Sequence, residues 1–236
     1  MTGTLWLLPV ALGDTPWQRS LPPETREAAC RIDRFVVENA KSARAELRRI
    51  GHPRPMRELA VDAIPAAPSD ADIERLLAPA LAGEDIGVMS EAGCPGVADP
   101  GALLVRRAHE LGIPVRPLVG PSSLLLALMG SGLDGQRFAF HGYLPVREPE
   151  RSRRIAALEA ESARSAQTQL FIEAPYRNRA LFDAILGACR PTTRLCVATD
   201  LTLASEHIAT RRIAEWRAAA VPELDKRPTV FLLLAG

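Results

Sequence analysis

Short apolar runs alternate with helical patterns through the first half of this 236-residue chain, and this alternation restricts the possible folds more than any other feature. Strands are predicted at residues 4–8, 34–38, 59–61, 86–89 and 115–118, with a helix between most of them. Strands that alternate with helices in this way form parallel α/β sheets. The first half is therefore predicted to be an α/β domain with a mostly parallel sheet.

The second half has more strands than helices. Its strand-like runs are 138–142, 169–173, 195–199, 206–209 and 229–234, and its obvious helices are 151–164 and 176–188. Such a pattern favours a mixed, largely antiparallel sheet. An apolar helix at 124–129 carries the chain into this half. We predict an N-terminal α/β domain over residues 1–118 and a C-terminal α/β domain over residues 119–236, with a cleft between them.

Composition limits the classes of partner and site. Hydrophobic residues make up 47% of the chain, and the 29 basic and 28 acidic residues leave a net charge of +1. No global field therefore attracts nucleic acid, and any RNA contact needs a local patch. The four cysteines have no CxxC spacing and no nearby histidine partners, which argues against a zinc site and against a disulfide framework. Together with the absence of a leader or a membrane-length apolar run, this predicts a soluble cytoplasmic protein.

The loop from Ser90 to Gly101 carries the clearest functional signal. Most of its side chains up to Ala98 are too small to block a ligand pressed against the backbone. Asp99 is predicted to cap the following helix, with Pro100 at its first position. Ligands of open α/β sheets bind at such strand-to-helix loops. A plain turn without a ligand explains this single loop about equally well.

Other strand ends carry weaker signals. Gly13 and Ser122 fit either ligand-binding loops or an ordinary turn and helix cap. Glu38 fits a proton acceptor or a helix-start charge. Arg177 opposes the dipole of its own helix, which indicates a ligand contact or an ion pair. Basic residues concentrate in 41–57 and 147–154, where interleaved acids leave phosphate binding and a solvated surface both open.

Taken together, these segments resemble the class III, tetrapyrrole-methylase-like methyltransferases that use S-adenosylmethionine, and within them the branch that methylates ribose 2′-hydroxyls of small-subunit ribosomal RNA. Residues 90–101 are similar to the SDAGTP…DPG segment of that family. Five further segments agree in order: 5–14 with the first-strand loop, 37–41 with AEDTR, 117–123 with PLPGP, 137–145 with RFxxxGFLP and 170–177 with FYES…R.

The resemblance implies two α/β domains, a homodimer and S-adenosylmethionine held in the cleft. No metal is implied. From the residues themselves, we predict that Glu38 acts as the base or orients the substrate, with Lys41 and Arg177 as phosphate contacts. The cofactor-binding residues carried over are Leu12, Gly13, Ser90, Glu91, Ala92, Val97, Ser122, Ser123, Glu173, Leu201, Pro228 and Thr229.

Several positions depart from the family pattern. Glu91 replaces an aspartate, Asn39 and Lys41 replace Asp and Arg, and Cys94 stands where the family has threonine. Residues 225–228 replace its RKGE segment. We predict a methyltransferase acting on an RNA 2′-hydroxyl. The alternatives are a methyltransferase for a small, tetrapyrrole-like molecule and a non-catalytic module that binds the cofactor.

Overall fold

The computed structural model describes residues 1–98 and 101–236, so the predicted helix cap at Asp99 and Pro100 lies outside the described residues. The chain divides into two compact units, Met1–Ser122 and Ser123–Gly236. The boundary after residue 118 and the cleft both stay predictions.

A five-stranded parallel sheet forms the first unit, in the order β3-β2-β4-β1-β5. Its strands are β1 (Leu5–Leu7), β2 (Arg34–Val37), β3 (Ala60–Ala63), β4 (Ile86–Met89) and β5 (Val115–Pro117). Its helices are α1 (Pro23–Cys30), α2 (Ala40–Arg49), α3 (Asp70–Leu81) and α4 (Gly101–Glu110). The parallel sheet predicted from the alternation is confirmed, and each strand end lies within two residues of its predicted position.

Helices cover both faces of this sheet. On one face, Val36 and Val88 pack with residues of α3 and α4. On the other face, Phe35 and Val37 pack with residues of α1 and α2. Successive strand residues point to opposite faces, so β2 must be apolar at the consecutive positions 35–37 that both cores cover. All three of these β2 side chains are fully buried.

The second unit contains a five-stranded mixed sheet in the order β6-β7-β10-β8-β9, in which only β6 and β7 are parallel. Its strands are β6 (Phe138–Tyr143), β7 (Thr168–Ile172), β8 (Arg194–Thr199), β9 (His207–Arg212) and β10 (Thr229–Leu234). Its helices are α5 (Ser123–Ser131), α6 (Glu150–Ser165), α7 (Asn178–Ala188) and α8 (Ile213–Ala218). The prediction of a mixed, largely antiparallel sheet is confirmed.

The helices of the second unit were predicted incompletely. Helix α8 was not predicted, because six residues are too short to show a helical period. The helix expected from residue 176 begins instead with a 3₁₀ turn at Pro175–Arg177, and the α-helix starts at Asn178. Helices α6, α7 and α8 share one core with the sheet, whereas α5 contacts β8, β9 and β10.

Candidate functional site

The loop after β4 lies at a switch point of the first sheet. Strand β4 pairs with β1 on one side and β2 on the other. Strand β4 leads into α4, which covers one face of the sheet. Strands β1 and β2 lead into α1 and α2, which cover the opposite face. Neighbouring strands whose connections leave on opposite faces open a crevice at their carboxyl ends, and this is where open α/β sheets bind ligands.

Backbone hydrogen bonds tie the β1 loop to the β4 loop. The Val10 N–H donates to the Gly93 carbonyl over 2.8 Å, and the Gly93 N–H donates to the Val10 carbonyl over 2.9 Å. Gly93 has a φ of +76°, a conformation that glycine adopts without steric cost. Ser90 is buried, and its hydroxyl donates to the Ala92 carbonyl over 3.2 Å. The hydrogen bonds between Val10 and Gly93 therefore hold the two loops together.

The loop after β5 packs against the same pair. The Cys94 thiol donates to the Pro121 carbonyl over 3.4 Å. A Cβ at Gly120 would overlap the ring of Pro9. Glycine is required at position 120 because the β1 and β5 loops approach each other too closely for a side chain.

Glu38 links the end of β2 to this group of loops. Its Oε2 accepts a hydrogen bond from the Glu91 N–H over 3.1 Å, and its side chain is exposed to solvent. Asn39 caps α2, accepting from the N–H groups of Lys41 at 2.9 Å and Ser42 at 3.3 Å. The Asn39 departure thus preserves a helix cap. Glu38 and the exposed Lys41 lie at the carboxyl edge of the sheet, beside the β4 loop.

A buried ion pair between Glu46 and Arg49, which sequence reasoning missed, contacts the loop after β1. Arg49 donates from Nε and Nη2 to Glu46, over 2.7 and 2.5 Å, and from Nη1 to the Thr15 carbonyl over 2.6 Å. The Ala11 N–H lies 3.5 Å from Glu46 Oε1. The exposed fractions of the side chains are 17% for Arg49 and 8% for Glu46. Together they anchor both ends of the segment that carries Leu12 and Gly13.

The second unit brings its predicted residues to one edge of its sheet. Strands β7 and β8 end there and the antiparallel β10 begins there, with Thr229 opposite Thr199 and Val230 opposite Ile172. Glu173, Leu201 and Thr229 are buried at this edge, while Pro228 is exposed.

An ion pair occupies both Glu173 and Arg177. Glu173 Oε1 accepts from Arg177 Nε at 3.0 Å and Nη2 at 2.6 Å, and from the Ala174 N–H at 2.7 Å. Nη1 of Arg177 donates to the Tyr176 hydroxyl over 2.6 Å. The Glu173 carboxylate raises the pKa of Arg177 further. Of the two roles left open for Arg177, the structure shows the ion pair.

A second polar network fastens the turn before β10. Asp200 Oδ2 accepts from Arg227 Nε and from the Ser205 hydroxyl, each at 2.8 Å. The Arg227 carbonyl accepts from Asn178 Nδ2 at 2.7 Å. Asn178 Oδ1 and the Thr202 hydroxyl are buried and lack a hydrogen-bond partner within the described residues. Buried polar groups without partners are uncommon, so this edge has hydrogen-bonding capacity left for a ligand.

The predicted residues therefore fall into two groups, one in each unit. The first group lies on the β1, β4 and β5 loops: Leu12, Gly13, Ser90, Glu91, Ala92, Val97 and Ser122. The second group contains Ser123, at the start of α5, with Glu173, Leu201, Pro228 and Thr229.

No set of three or more potential metal ligands gathers in residues 1–98 and 101–236. Over the same residues, no helix is long and apolar enough to cross a membrane.

The chain resembles known proteins over most of its length. The family model for tetrapyrrole (corrin/porphyrin) methylases matches residues 18–216. Ribosomal RNA small subunit methyltransferase I of Xylella fastidiosa strain Temecula1 is 31% identical over 98% of this chain and 81% of its own length. The protein of that name from Micromonospora olivasterospora is 31% identical over the whole chain and 71% of its own length.

Solved structures show the same fold. The methyltransferase CobJ matches the whole chain with a TM-score of 0.66 at 18% identity, covering 95% of the CobJ chain. The uroporphyrin-III-C-methyltransferase of Thermus thermophilus matches 99% of this chain and 93% of its own, with a TM-score of 0.54 at 17% identity. The family match and the full-chain relatives, together with the fold, show that this chain belongs to the tetrapyrrole methylase family and is a methyltransferase that depends on S-adenosylmethionine.

Proposed function

We propose that this methyltransferase transfers the methyl group of S-adenosylmethionine to a ribose 2′-hydroxyl of small-subunit ribosomal RNA. The observation that carries the proposal is the match to ribosomal RNA small subunit methyltransferase I of Xylella fastidiosa, which extends over 98% of this chain. The likeness to CobJ and to the uroporphyrin-III-C-methyltransferase, at 17–18% identity, concerns the fold alone. It gives a tetrapyrrole-like substrate little support.

The residues present fit S-adenosylmethionine. The β4 loop offers backbone amides and carbonyls with little side-chain obstruction, and Gly93 takes the left-handed conformation that its turn requires. In the second unit, Asn178 Oδ1 and the Thr202 hydroxyl have unused hydrogen-bonding capacity. The cofactor carries amino and hydroxyl groups that suit such atoms. We assign its binding to the two groups of residues described above.

When bound, the cofactor supplies a methyl group on a positively charged sulfur. Glu38 is the proposed proton acceptor, because a hydroxyl oxygen that attacks this methyl group must give up its proton. The hydrogen bond from the Glu91 N–H holds Glu38 Oε2, and Oε1 accepts no hydrogen bond from the described residues. One carboxylate oxygen is thus anchored and the other can take the proton.

The two proposed phosphate contacts are not equivalent. Lys41 has an exposed ammonium group that forms no ion pair within the described residues, so it can meet an RNA phosphate without losing a partner. Arg177 already binds Glu173 and Tyr176 through all three guanidinium nitrogens. It would contact phosphate only through hydrogen-bonding capacity beyond this network, so its main proposed role is to orient Glu173.

We further propose a homodimer that works in the cytoplasm. Leu125 and Met129 on α5 are 52% and 79% exposed, and apolar side chains this exposed favour association. The four cysteines form no disulfide within the described residues, which suits a reducing compartment.

Transfer of a tritiated methyl group tests the proposal. The purified protein is incubated with labelled S-adenosylmethionine and, in separate reactions, with small-subunit ribosomal RNA, total protein and a small-molecule fraction containing porphyrinoids. We expect label in the RNA reaction, with Glu38→Gln reducing it strongly and the exposed-site control Glu58→Gln leaving it unchanged. Label in the porphyrinoid fraction without label in RNA would overturn the proposal and select the small-molecule alternative.

A further inference from the structure

Two arginines face each other across the outer pair of strands in the second unit. In the antiparallel pairing of β8 with β9, Arg194 lies directly opposite Arg212, and both residues are exposed. Partners in such a register point to the same face of the sheet. Strand β9 is the edge strand, so solvent reaches this pair freely.

Helix α5 leaves this pair uncovered. The Thr210 hydroxyl donates to the carbonyl of Ser131, the last residue of α5, over 2.6 Å. Thr210 lies opposite Cys196, two residues along each strand from the arginine pair and on the same face of the sheet. The helix therefore ends beside Thr210 and Cys196, and the arginine pair lies beyond its end.

One carboxylate lies near this pair but binds backbone, because the Arg212 N–H donates to Glu215 Oε2 over 2.9 Å. Within the part of the chain that the structure describes, no carboxylate forms an ion pair with Arg194 or Arg212. Like charges directly opposite each other on a sheet destabilise it. The chain has 28 acidic residues for 29 basic ones, so its composition does not force two arginines into an unpaired register.

We propose that Arg194 and Arg212 together bind a phosphate of the RNA backbone. Two guanidinium groups suit this ligand because each offers a planar pair of donors to phosphate oxygens. A phosphate between them also relieves their mutual repulsion. This inference rests on the proposed RNA substrate, and it adds a contact at a distance along the chain from the loops assigned to the cofactor.

The salt dependence of RNA binding tests the site. The dissociation constant of a small-subunit ribosomal RNA transcript is measured between 50 and 300 mM KCl for the wild-type protein and for R194A/R212A. The logarithm of the association constant falls linearly with the logarithm of the salt concentration. Each lost phosphate contact makes this slope less steep by about 0.7 for single-stranded RNA. The two arginines share one phosphate, so we expect the slope to become less steep by about 0.7 and binding to weaken roughly 5-fold at 0.1 M salt.

Matched variants separate this site from general charge loss. R31A/R106A removes two exposed arginines from the first unit and should bind as the wild type does. R194K/R212K keeps the charge, so it should keep the wild-type slope. The melting temperature of R194A/R212A should not fall, because a repulsive pair has been removed.

Either of two results overturns the inference. If R194A/R212A matches R31A/R106A in slope and affinity while the wild-type protein still methylates the transcript, the inference fails and the proposed function stands. If the wild-type protein neither binds nor methylates the transcript, the proposed function fails, and the inference fails with it.

Discussion

Replacing Arg49 by methionine isolates the buried pair beneath the β1 loop. Methionine keeps much of the length of the side chain and removes its charge. The variant leaves Glu46 in place with 8% of its side chain exposed, and the Thr15 carbonyl loses its donor. Because Glu46 then has no cation beside it, the change exposes the cost of burying an unpaired carboxylate.

The structure sets the size of the effect. Removing one partner of a buried ion pair costs about 3–5 kcal/mol. Arg49 keeps 17% of its side chain exposed, so solvent reaches the remaining carboxylate in part and the lower end of that range applies. R49M should lower the free energy of unfolding by about 3 kcal/mol. The double variant E46L/R49M leaves no unpaired charge and should recover about 2 kcal/mol of that loss.

Measurements of stability and of cofactor affinity separate two effects of the Glu46–Arg49 pair, on the packing of the core and on the position of the loop after β1. Urea unfolding gives the stability of the wild type, R49M, E46L and E46L/R49M, and calorimetry gives their affinity for S-adenosylhomocysteine. The double variant should be nearly as stable as the wild type yet bind more weakly, because Thr15 and Ala11 lose their anchors. The reasoning is refuted if R49M stays within 1 kcal/mol of the wild type, or if the double variant is no more stable than R49M.

Three further predictions concern the site and the core. Glu38→Gln should lower kcat by about 10²–10⁴-fold while leaving affinity for S-adenosylhomocysteine within about twofold, measured by methyl transfer and calorimetry; unchanged kcat would exclude Glu38 as the base. Ser90→Leu should abolish S-adenosylhomocysteine binding while the protein stays folded, and retained binding would contradict the assignment. Burial raises the pKa of the Cys196 thiol from 9.0 to about 11. The unfolded thiol therefore ionises first, and its stabilising contribution is lost as pH rises from about 9 to about 11, which costs roughly 2 kcal/mol. In urea unfolding, C196A should lack this part of the decline, and an identical pH profile would count against it.

The fold could be predicted because its signals are local. The apolar run of β4 and the changes from strand to helical period are visible within short windows, and they gave the two sheets. Helix α8 was missed because six residues leave no period to detect. The family came from motif resemblance, which periodicity alone does not supply.

The site was less accessible to sequence reasoning. Glu46 has a signal, since Ala43, Leu47 and Ile50 place it on the buried side of α2. The contact between Asp200 and Arg227 joins residues 27 positions apart and has no local pattern. Such contacts depend on the strand pairing, which is known only once the sheet is assembled.

The position of the transferred methyl group tests the central claim most directly. Small-subunit ribosomal RNA from cells that lack this protein is methylated by the purified chain, digested to nucleosides and analysed by mass spectrometry. The account predicts one additional 2′-O-methylnucleoside, absent when Glu38→Gln is used. A methyl group on a base, or no methylated nucleoside at all, would contradict it.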